Sequence, residues 1–339
     1  MERNLLNRSV KAMNTINRAK QLLIIINIIY LVLVSVPVES HAVQTSFLYD
    51  LSNFTGKIPY HWVNITIDQE KNEIFICDTS EKSVRIFNEN GMEIYSFGDD
   101  SELGNTSFYD LAIDREGNIF LLSWRSGKGK SKNENEYEII KCNFRGEVIS
   151  RIGLEKLPTE FSGISPNRII HREGRLYLVD KSGMKVAVIG ANGDFLKGYD
   201  IASFLQFNEK KRAETGIAGF SVDKEGNMLF TVPVVFQAFK LSPEGKITAF
   251  GQRGSAPGKF NIVGGITSDD KGYYYLTDTL RCVVMIFDKE FKFVKEFGYR
   301  GYMPGNLIAP MELEVDSHGR IYIAQGGRRG VSVFKINYN

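Results

Sequence analysis

Six positions at one repeated spacing carry the side chains that could do chemistry. A turn residue recurs along the chain, and the residue four positions before each turn is polar or glycine: Asn64, Asp110, Asn167, Gly219, Gly265 and Glu312. Two carboxylates and two amides are oxygen ligands that suit Ca²⁺, so Asn64, Asp110, Asn167 and Glu312 form a candidate calcium site. No general base accompanies them, and a water-filled wall of polar side chains is the favoured alternative.

Other catalytic arrangements are not indicated. The histidines are scattered, which argues against a three-histidine zinc centre of the kind found in amidating lyases; they are His41, His61, His171 and His318. The sequence contains no nucleophile elbow, no His-Glu zinc helix and no phosphate-binding glycine loop. An odd number of widely spaced cysteines predicts buried free thiols rather than disulfides or a thiolate metal site; they are Cys77, Cys142 and Cys282.

A second group of candidates consists of aromatic and arginine side chains, the types that dominate interface energetics. They lie in or beside the longer connections of the chain, and they are Trp124, Arg125, Arg281, Tyr302, Arg328 and Arg329. We expect them to form a binding surface. The alternative for each is an ordinary solvent-exposed loop residue.

The elements that would position these residues come from a repeat of about 40 to 50 residues. An aspartate, or His171 in one case, closes an alternating apolar stretch six times; the aspartates are Asp68, Asp114, Asp223, Asp269 and Asp316. Two more short apolar segments follow each turn, and in four repeats a further segment ends in an aromatic residue or Ile before Gly. Period-two patterning with turn residues at fixed offsets predicts strands, and four strands per repeat predict a blade. The expected fold is therefore an all-β, six-bladed β-propeller with four-stranded antiparallel blades.

The two ends of the domain are incomplete in complementary ways. The sixth repeat stops after three strands, whereas Thr45 to Leu51 precede the first repeat and have no blade of their own. We expect this N-terminal strand to complete the last blade, because that pairing covers an open edge. The predicted domain spans 43–339, with blades at about 60–98, 108–153, 165–201, 216–251, 260–298 and 308–339, the last completed by 43–53.

Loop lengths distinguish the two faces of such a ring. First-to-second and third-to-fourth turns lie on one face, which we call the tight-turn face, because its turns are short. The other connections lie on the opposite, long-loop face, and they include the insertions at 124–137, 154–165 and 202–215. Binding residues concentrate on long loops held by a rigid scaffold. The long-loop face is therefore the expected functional surface.

The repeat resembles the NHL family. The segment from Gly254 to Gly298 reads GSAPGKFNIVGGITSDDKGYYYLTDTLRCVVMIFDKEFKFVKEFG. It is similar to the family's glycine-rich approach, Asp turn, Thr-Asp pair, arginine, apolar strand and terminal Phe-Gly. The resemblance extends over about residues 60–336 and is looser in the third and fourth repeats. It implies the six-bladed fold and says little about function, because function depends on sites grafted on folds.

The first 42 residues differ from the rest of the chain. A basic leader precedes an apolar run from Leu22 to Val38. Ser40 and Ala42 then place small residues at the two positions that a signal peptidase reads, so we expect cleavage after Ala42. This pattern predicts an export signal peptide, with a membrane anchor at 22–38 as the alternative. The protein would then be periplasmic or extracellular, or anchored to the inner membrane. The chain after residue 42 has 37 basic and 38 acidic residues, so nucleic acid is an unexpected partner.

The expected function is that of an exported, non-enzymatic binding scaffold that holds a protein or small ligand on its long-loop face and needs no cofactor. The alternative is a calcium-dependent hydrolase or lyase with the oxygen-ligand site at the channel mouth. Calcium-dependent six-bladed hydrolases similar to gluconolactonases and paraoxonases use a site of this general kind, although their motifs do not align with this chain.

Overall fold

The structure, a computed structural model, describes residues 43–58, 63–98, 103, 106–126 and 135–338. The predicted leader at 1–42 lies outside the described residues, as do His61 and residues 127–134. Among the described residues, no helix is both long and apolar enough to cross a membrane.

Short strands account for most of the described chain. In chain order they are β1 (Val43–Asp50), β2 (Ser52–Asn53), β3 (Gly56–Lys57), β4 (Val63–Asp68), β5 (Glu73–Asp78), β6 (Ser83–Phe87), β7 (Glu93–Phe97), β8 (Ser107–Ile113), β9 (Ile119–Ser126), β10 (Asn135–Cys142), β11 (Val148–Gly153), β12 (Arg168–Arg172), β13 (Arg175–Asp180), β14 (Lys185–Gly190), β15 (Phe195–Asp200), β16 (Phe220–Val222), β17 (Met228–Val232), β18 (Gln237–Leu241), β19 (Ile247–Phe250), β20 (Val263–Ser268), β21 (Tyr274–Asp278), β22 (Val283–Phe287), β23 (Phe293–Phe297), β24 (Pro310–Val315), β25 (Arg320–Gln325) and β26 (Gly330–Tyr338). Two short helices, α1 (Ile201–Phe204) and α2 (Glu209–Ala213), connect β15 to β16, and a 3₁₀ turn spans Pro233–Val235.

These strands form six four-stranded antiparallel sheets, the blades. Blades 1 to 5 are β4–β7, β8–β11, β12–β15, β16–β19 and β20–β23, and blade 6 contains β24, β25, β26 and β1. The first strand of each blade contacts the first strand of the next, and β24 contacts β4, so the inner strands close a ring. The prediction of a six-bladed propeller is confirmed.

The outer strand of blade 6 comes from the start of the described chain. Strand β1 pairs antiparallel with β26, with Val43 opposite Tyr338 and Phe47 opposite Phe334. The rings of Phe47 and Phe334 lie edge to face, 5.5 Å apart. Without this pairing β26 would present a row of free backbone groups, an edge open to other chains.

The hydrophobic core lies between neighbouring blades. One cluster combines Phe75 and Val84 of blade 1 with Phe108 and Leu121 of blade 2. All three cysteines are buried and form no disulfide with one another, as the sequence predicts. Burial raises the pKa of Cys77 well above its usual value, so this thiol stays protonated.

The repeated aspartate makes the tight turn that ends the inner strand in every blade except blade 3. In blade 4 the Asp223 carboxylate accepts a hydrogen bond from the backbone N–H of Asn227 at 2.8 Å. The Gly226 N–H donates to the Asp223 carbonyl at 3.0 Å. Gly226 has φ +80°, a conformation that glycine adopts without strain.

Blades 4 and 5 approach each other closely at two glycines, one just before β16 and one in β20. A Cβ on Gly219 would lie 2.4 Å from the Gly264 carbonyl oxygen. Gly219→Ala should therefore force these backbones apart and lower the free energy of unfolding by about 1–3 kcal/mol, as measured by urea denaturation. Gly163→Ala is the matched control, because a Cβ there meets nothing within 4 Å. Equal stability of the two variants would contradict this packing.

Candidate functional site

The central channel holds a cluster of charges around Arg168, whose side chain is only 3% exposed. Its Nη1 lies 3.5 Å from Oδ1 of Asp110 in blade 2, and its Nη2 lies 3.1 Å from Oε1 of Glu314 in blade 6. The Thr267 hydroxyl of blade 5 donates to the other Glu314 oxygen at 3.1 Å. We call these four residues the channel cluster; they join four blades across the ring axis.

Burial dominates the protonation of this cluster. It raises the pKa of Asp110 to about 6, although Arg168 and the Ile169 N–H oppose the shift. Burial likewise raises the pKa of Glu314 to about 7, against Arg168 and the Thr267 hydroxyl. Burial acts to lower the pKa of Arg168, but the surrounding carboxylates raise it above its usual value. Arg168 is thus always charged, while Glu314 changes its charge near neutral pH.

A second ion pair lies toward the long-loop face. Lys181, which directly follows β13, places Nζ 2.9 Å from Oε1 of Glu312. Burial would raise the pKa of Glu312, but Lys181 and Arg168 hold it below its usual value. Glu312 is therefore ionised at neutral pH and already compensated by a cation.

The predicted calcium ligands are engaged by protein groups. Asn64 donates to the Tyr109 carbonyl at 2.8 Å, Asp110 binds Arg168 and the Ile169 N–H, and Asn167 accepts weakly from the Lys181 N–H at 3.4 Å. Among the residues that the structure describes, no three His, Cys, Asp or Glu side chains are grouped to hold a metal ion. A calcium ion would have to displace these partners, and the calcium site stays a prediction.

The structure differs from the expected ring in blades 3 and 4. Asn167 and Gly219 were expected on the innermost strands, but β12 begins at Arg168 and β16 at Phe220. Strand β8 contains a bulge near Asp110, whereas β12 pairs without one. A bulge adds a residue to one strand, so counting back from the turn reaches different depths in the two blades. Arg168 occupies the channel position in blade 3.

A cavity of about 440 Å³ opens on the tight-turn face of the channel. Arg168, Glu314 and Thr267 form its floor, and Arg172 and Ser221 contribute to its walls. Its mouth is surrounded by the turn aspartates Asp68, Asp114, Asp269 and Asp316. We call it the channel cavity. The long-loop face was the expected functional surface, and this cavity lies at the opposite end.

His171 and His318 lie near that mouth without forming a catalytic pair. The His171 ring stacks on Phe120 at 6.1 Å, and burial lowers its pKa. His318 lies in the turn of blade 6, where its backbone N–H donates to the Asp316 carboxylate at 2.9 Å. Both positions are explained by packing and turn geometry.

The predicted binding residues separate into two groups on the long-loop face. Trp124 and Arg125 lie in β9 of blade 2; Trp124 is partly buried, and for Arg125 the structure describes the backbone. Tyr302 and Arg329 lie together on blade 6, where the guanidinium stacks on the ring at 5.5 Å. Arg328 precedes Arg329 with φ +58° and is exposed.

Arg281 has a structural role. Its side chain is 11% exposed, with Nη2 2.6 Å from Oε1 of Glu296, and its Nη1 donates to the Lys259 carbonyl at 3.1 Å. It therefore holds two loops together instead of presenting an accessible cation. Sequence alone could not show this, because Glu296 and Lys259 come from other parts of the blade.

Five touching loop segments form a basic surface on the long-loop face around blades 5 and 6. They are 56–58, 251–262, 279–282, 298–309 and 325–330, and together they contain seven basic and no acidic residues: Lys57, Arg253, Lys259, Arg281, Arg300, Arg328 and Arg329. Arg300 donates to the Leu280 carbonyl at 2.7 Å, and the Gly326 N–H donates to the Ile308 carbonyl at 3.1 Å. These hydrogen bonds join neighbouring segments into one surface, the basic loop patch.

Exposed apolar side chains accompany these charges. Tyr302 is 74% exposed, and the other large exposed side chains of the basic loop patch are Ile262, Leu280, Tyr299 and Met303. The sequence analysis identified Tyr302 and missed the others. Their signature was present in the related loops GQRGSAPGKF and GYRGYMPGNL, which carry arginine and apolar residues without a carboxylate.

No protein-family model matches the chain, and no curated protein matches it, so the NHL resemblance rests on the sequence alone. Solved structures show the fold. A Bacteroides thetaiotaomicron protein of unknown function has a TM-score of 0.60 at 13% identity, covering 87% of this chain and 76% of that chain. Virginiamycin B lyase from Staphylococcus aureus has a TM-score of 0.55 at 13% identity, and the match covers 88% of this chain and 100% of that chain. A putative glucose dehydrogenase from Thermus thermophilus has a TM-score of 0.51 at 13% identity, and the match covers 87% of this chain and 100% of that chain.

The raised pKa of Glu314 predicts a pH-dependent stability. The Glu314 carboxyl is neutral in the folded protein below about pH 7, whereas in the unfolded chain it ionises near pH 4.5. Its contribution to the free energy of unfolding is therefore lost as the pH rises from 5 to 8. Glu314→Gln should reduce the loss over this range by about 2 kcal/mol, because one pKa unit corresponds to about 1.4 kcal/mol and the side chain is 23% exposed.

Urea denaturation at pH 5, 6, 7 and 8 measures this difference. The half-buried His171, whose lowered pKa makes its contribution to stability rise with pH, is common to both proteins and cancels in the comparison. Parallel pH profiles for the wild type and Glu314→Gln would contradict the placement of Glu314.

Proposed function

We propose that this protein is a binding scaffold that captures an acidic, partly apolar protein segment on the basic loop patch. The observation that carries the proposal is the charge of five touching loop segments, with seven basic and no acidic residues. The chain after residue 42 has 37 basic and 38 acidic residues in all, and a one-sided surface in such a chain favours an oppositely charged partner. The neighbouring blades supply the rigid support.

The basic charges are only partly neutralised within the protein. Lys57 pairs with Asp50 at 2.8 Å, and Arg281 pairs with Glu296. Arg300 and Arg329 make no ion pair with any carboxylate of the described residues, and the Arg329 Nε is buried there without a hydrogen-bond partner. A carboxylate from a partner would supply the missing acceptor.

The apolar side chains favour a protein over a nucleic acid. Tyr302, Tyr299 and Met303 are the large, adaptable side chains that anchor protein interfaces. Nucleic-acid binding depends mainly on bulk positive charge, whereas the chain after residue 42 has 37 basic and 38 acidic residues. A partner segment with alternating acidic and apolar residues matches both features of the patch.

Export is part of the same proposal. The pattern of residues 1–42 supports a signal peptide, or an inner-membrane anchor at 22–38. Cleavage after Ala42 would leave Val43, the first residue of β1, at the new N-terminus. The strand that closes blade 6 would then begin the mature chain, and N-terminal sequencing of the exported product tests this.

Selection from a phage-displayed random peptide library tests partner recognition. Peptides enriched on the immobilised protein should combine Asp or Glu with aliphatic or aromatic residues. A variant with Tyr302→Ala and Arg329→Ala should bind the selected peptides at least tenfold more weakly, because it removes an exposed aromatic-cation stack. Fluorescence anisotropy with labelled peptides gives the affinities.

The tight-turn face offers a matched control. Arg145 lies over the Phe144 ring at 5.2 Å, also exposed, and the variant with Phe144→Ala and Arg145→Ala should bind as the wild type does. Selected peptides without acidic residues, equal losses in the two double variants, or tighter binding to a single-stranded oligonucleotide than to any peptide would overturn the proposal.

A further inference from the structure

The channel cavity contains polar atoms that the protein leaves unsatisfied. Among the described residues, the Nε atoms of Arg168 and Arg172 and the Oγ of Ser221 are buried and find no hydrogen-bond partner. All three residues line the cavity. An unsatisfied buried polar group is destabilising, so three of them on residues that line one cavity indicate a place where a partner from outside is expected.

Arg172 is held at the wall of the channel cavity. Its Nη2 donates to the Val222 carbonyl of blade 4 at 2.7 Å, which fixes the guanidinium beside the inner strand that carries Ser221. None of the ion pairs among the described residues involves Arg172, unlike Arg168, which has Asp110 and Glu314. Arg172 is thus a positioned cation without its own carboxylate.

Ser221 lies next to Val222 in β16 and is 5% exposed. A serine hydroxyl can donate one hydrogen bond and accept others. Ser221 and the planar guanidinium of Arg172 both line the cavity, and both offer donors of the kind that a carboxylate accepts.

The charge of the mouth restricts the ligand further. Asp68, Asp114, Asp269 and Asp316 surround the opening beside Arg115 and Lys224, and this excess of carboxylates would repel a dianion such as sulfate. Beneath, Glu314 adds a carboxyl group to the floor. A ligand with one negative charge and a small uncharged body is compatible with both ends of the cavity.

We propose that the channel cavity is a binding site for a small organic monocarboxylate, whose carboxylate group is held by Arg172 and Ser221 above the floor formed by Arg168 and Glu314. The volume of about 440 Å³ lies within the usual range of ligand pockets, about 300–1,000 Å³. This site is at the opposite end of the ring from the basic loop patch and does not depend on the proposed protein partner.

Thermal unfolding followed by isothermal titration calorimetry at pH 6.5 tests the site, with acetate, lactate and benzoate as probes and their amides as uncharged counterparts. At least one carboxylate should raise the melting temperature and bind, while its amide does not. Arg172→Met should weaken that binding at least tenfold, because it removes a charge-assisted hydrogen bond. Ser221→Ala should weaken it about three- to tenfold.

Two variants separate ligand binding from folding. Ser221→Ala removes a hydroxyl without a partner, so the ligand-free variant should be at least as stable as the wild type. Arg175→Met replaces an exposed arginine on the same hairpin outside the cavity and should leave binding unchanged. Equal responses to carboxylates and amides, undiminished binding by Arg172→Met, or equally strong binding of inorganic sulfate would overturn the assignment.

Discussion

The architecture of the channel depends on the ion pairs of Arg168 with Asp110 and Glu314. The Arg168 guanidinium is almost fully buried and contacts carboxylates from blade 2 and blade 6. A buried charge is tolerated only when it is paired and hydrogen-bonded. The inner strands must therefore hold Asp110 and Glu314 at fixed positions on both sides of Arg168, which ties blades that are not neighbours in the ring.

This arrangement divides the channel into two ends with different properties. Toward the long-loop face, Lys181 compensates Glu312, and the connections beyond carry the basic loop patch. Toward the tight-turn face, the floor of Arg168 and Glu314 closes the channel cavity. A ligand in the cavity and a partner on the patch would contact different residues, so one protein could present two independent binding surfaces.

The repeat allowed much of the fold to be predicted, because the aspartate turn and period-two patterning are local properties. Asp110 and Glu312 were placed at the channel for the same reason. Their cationic partners were missed, since Arg168 and Lys181 come from another blade and no local pattern relates them. Glu314 could have been found, because it lies two positions after Glu312 in one strand and side chains two apart share a face.

The site residues that the sequence predicted in the wrong place have a physical explanation. Counting back from each turn assumes regular strands, and the bulges in β8, β20 and β24 break that assumption, while β12 is regular. Arg281 was predicted at a binding surface because its sequence neighbourhood is a loop. Its pairing with Glu296 depends on how two strands of blade 5 lie side by side, which residue type alone does not reveal.

A double-mutant cycle between Arg168 and Glu314 tests the central claim most directly. The free energies of unfolding of the wild type, Arg168→Met, Glu314→Gln and the double variant would be measured at pH 8, where Glu314 is ionised. The contact between Arg168 and Glu314 predicts a coupling energy of about 1–3 kcal/mol at pH 8. The coupling energy should be smaller at pH 5.5, because Glu314 is neutral there. Additive losses at both pH values would contradict the account.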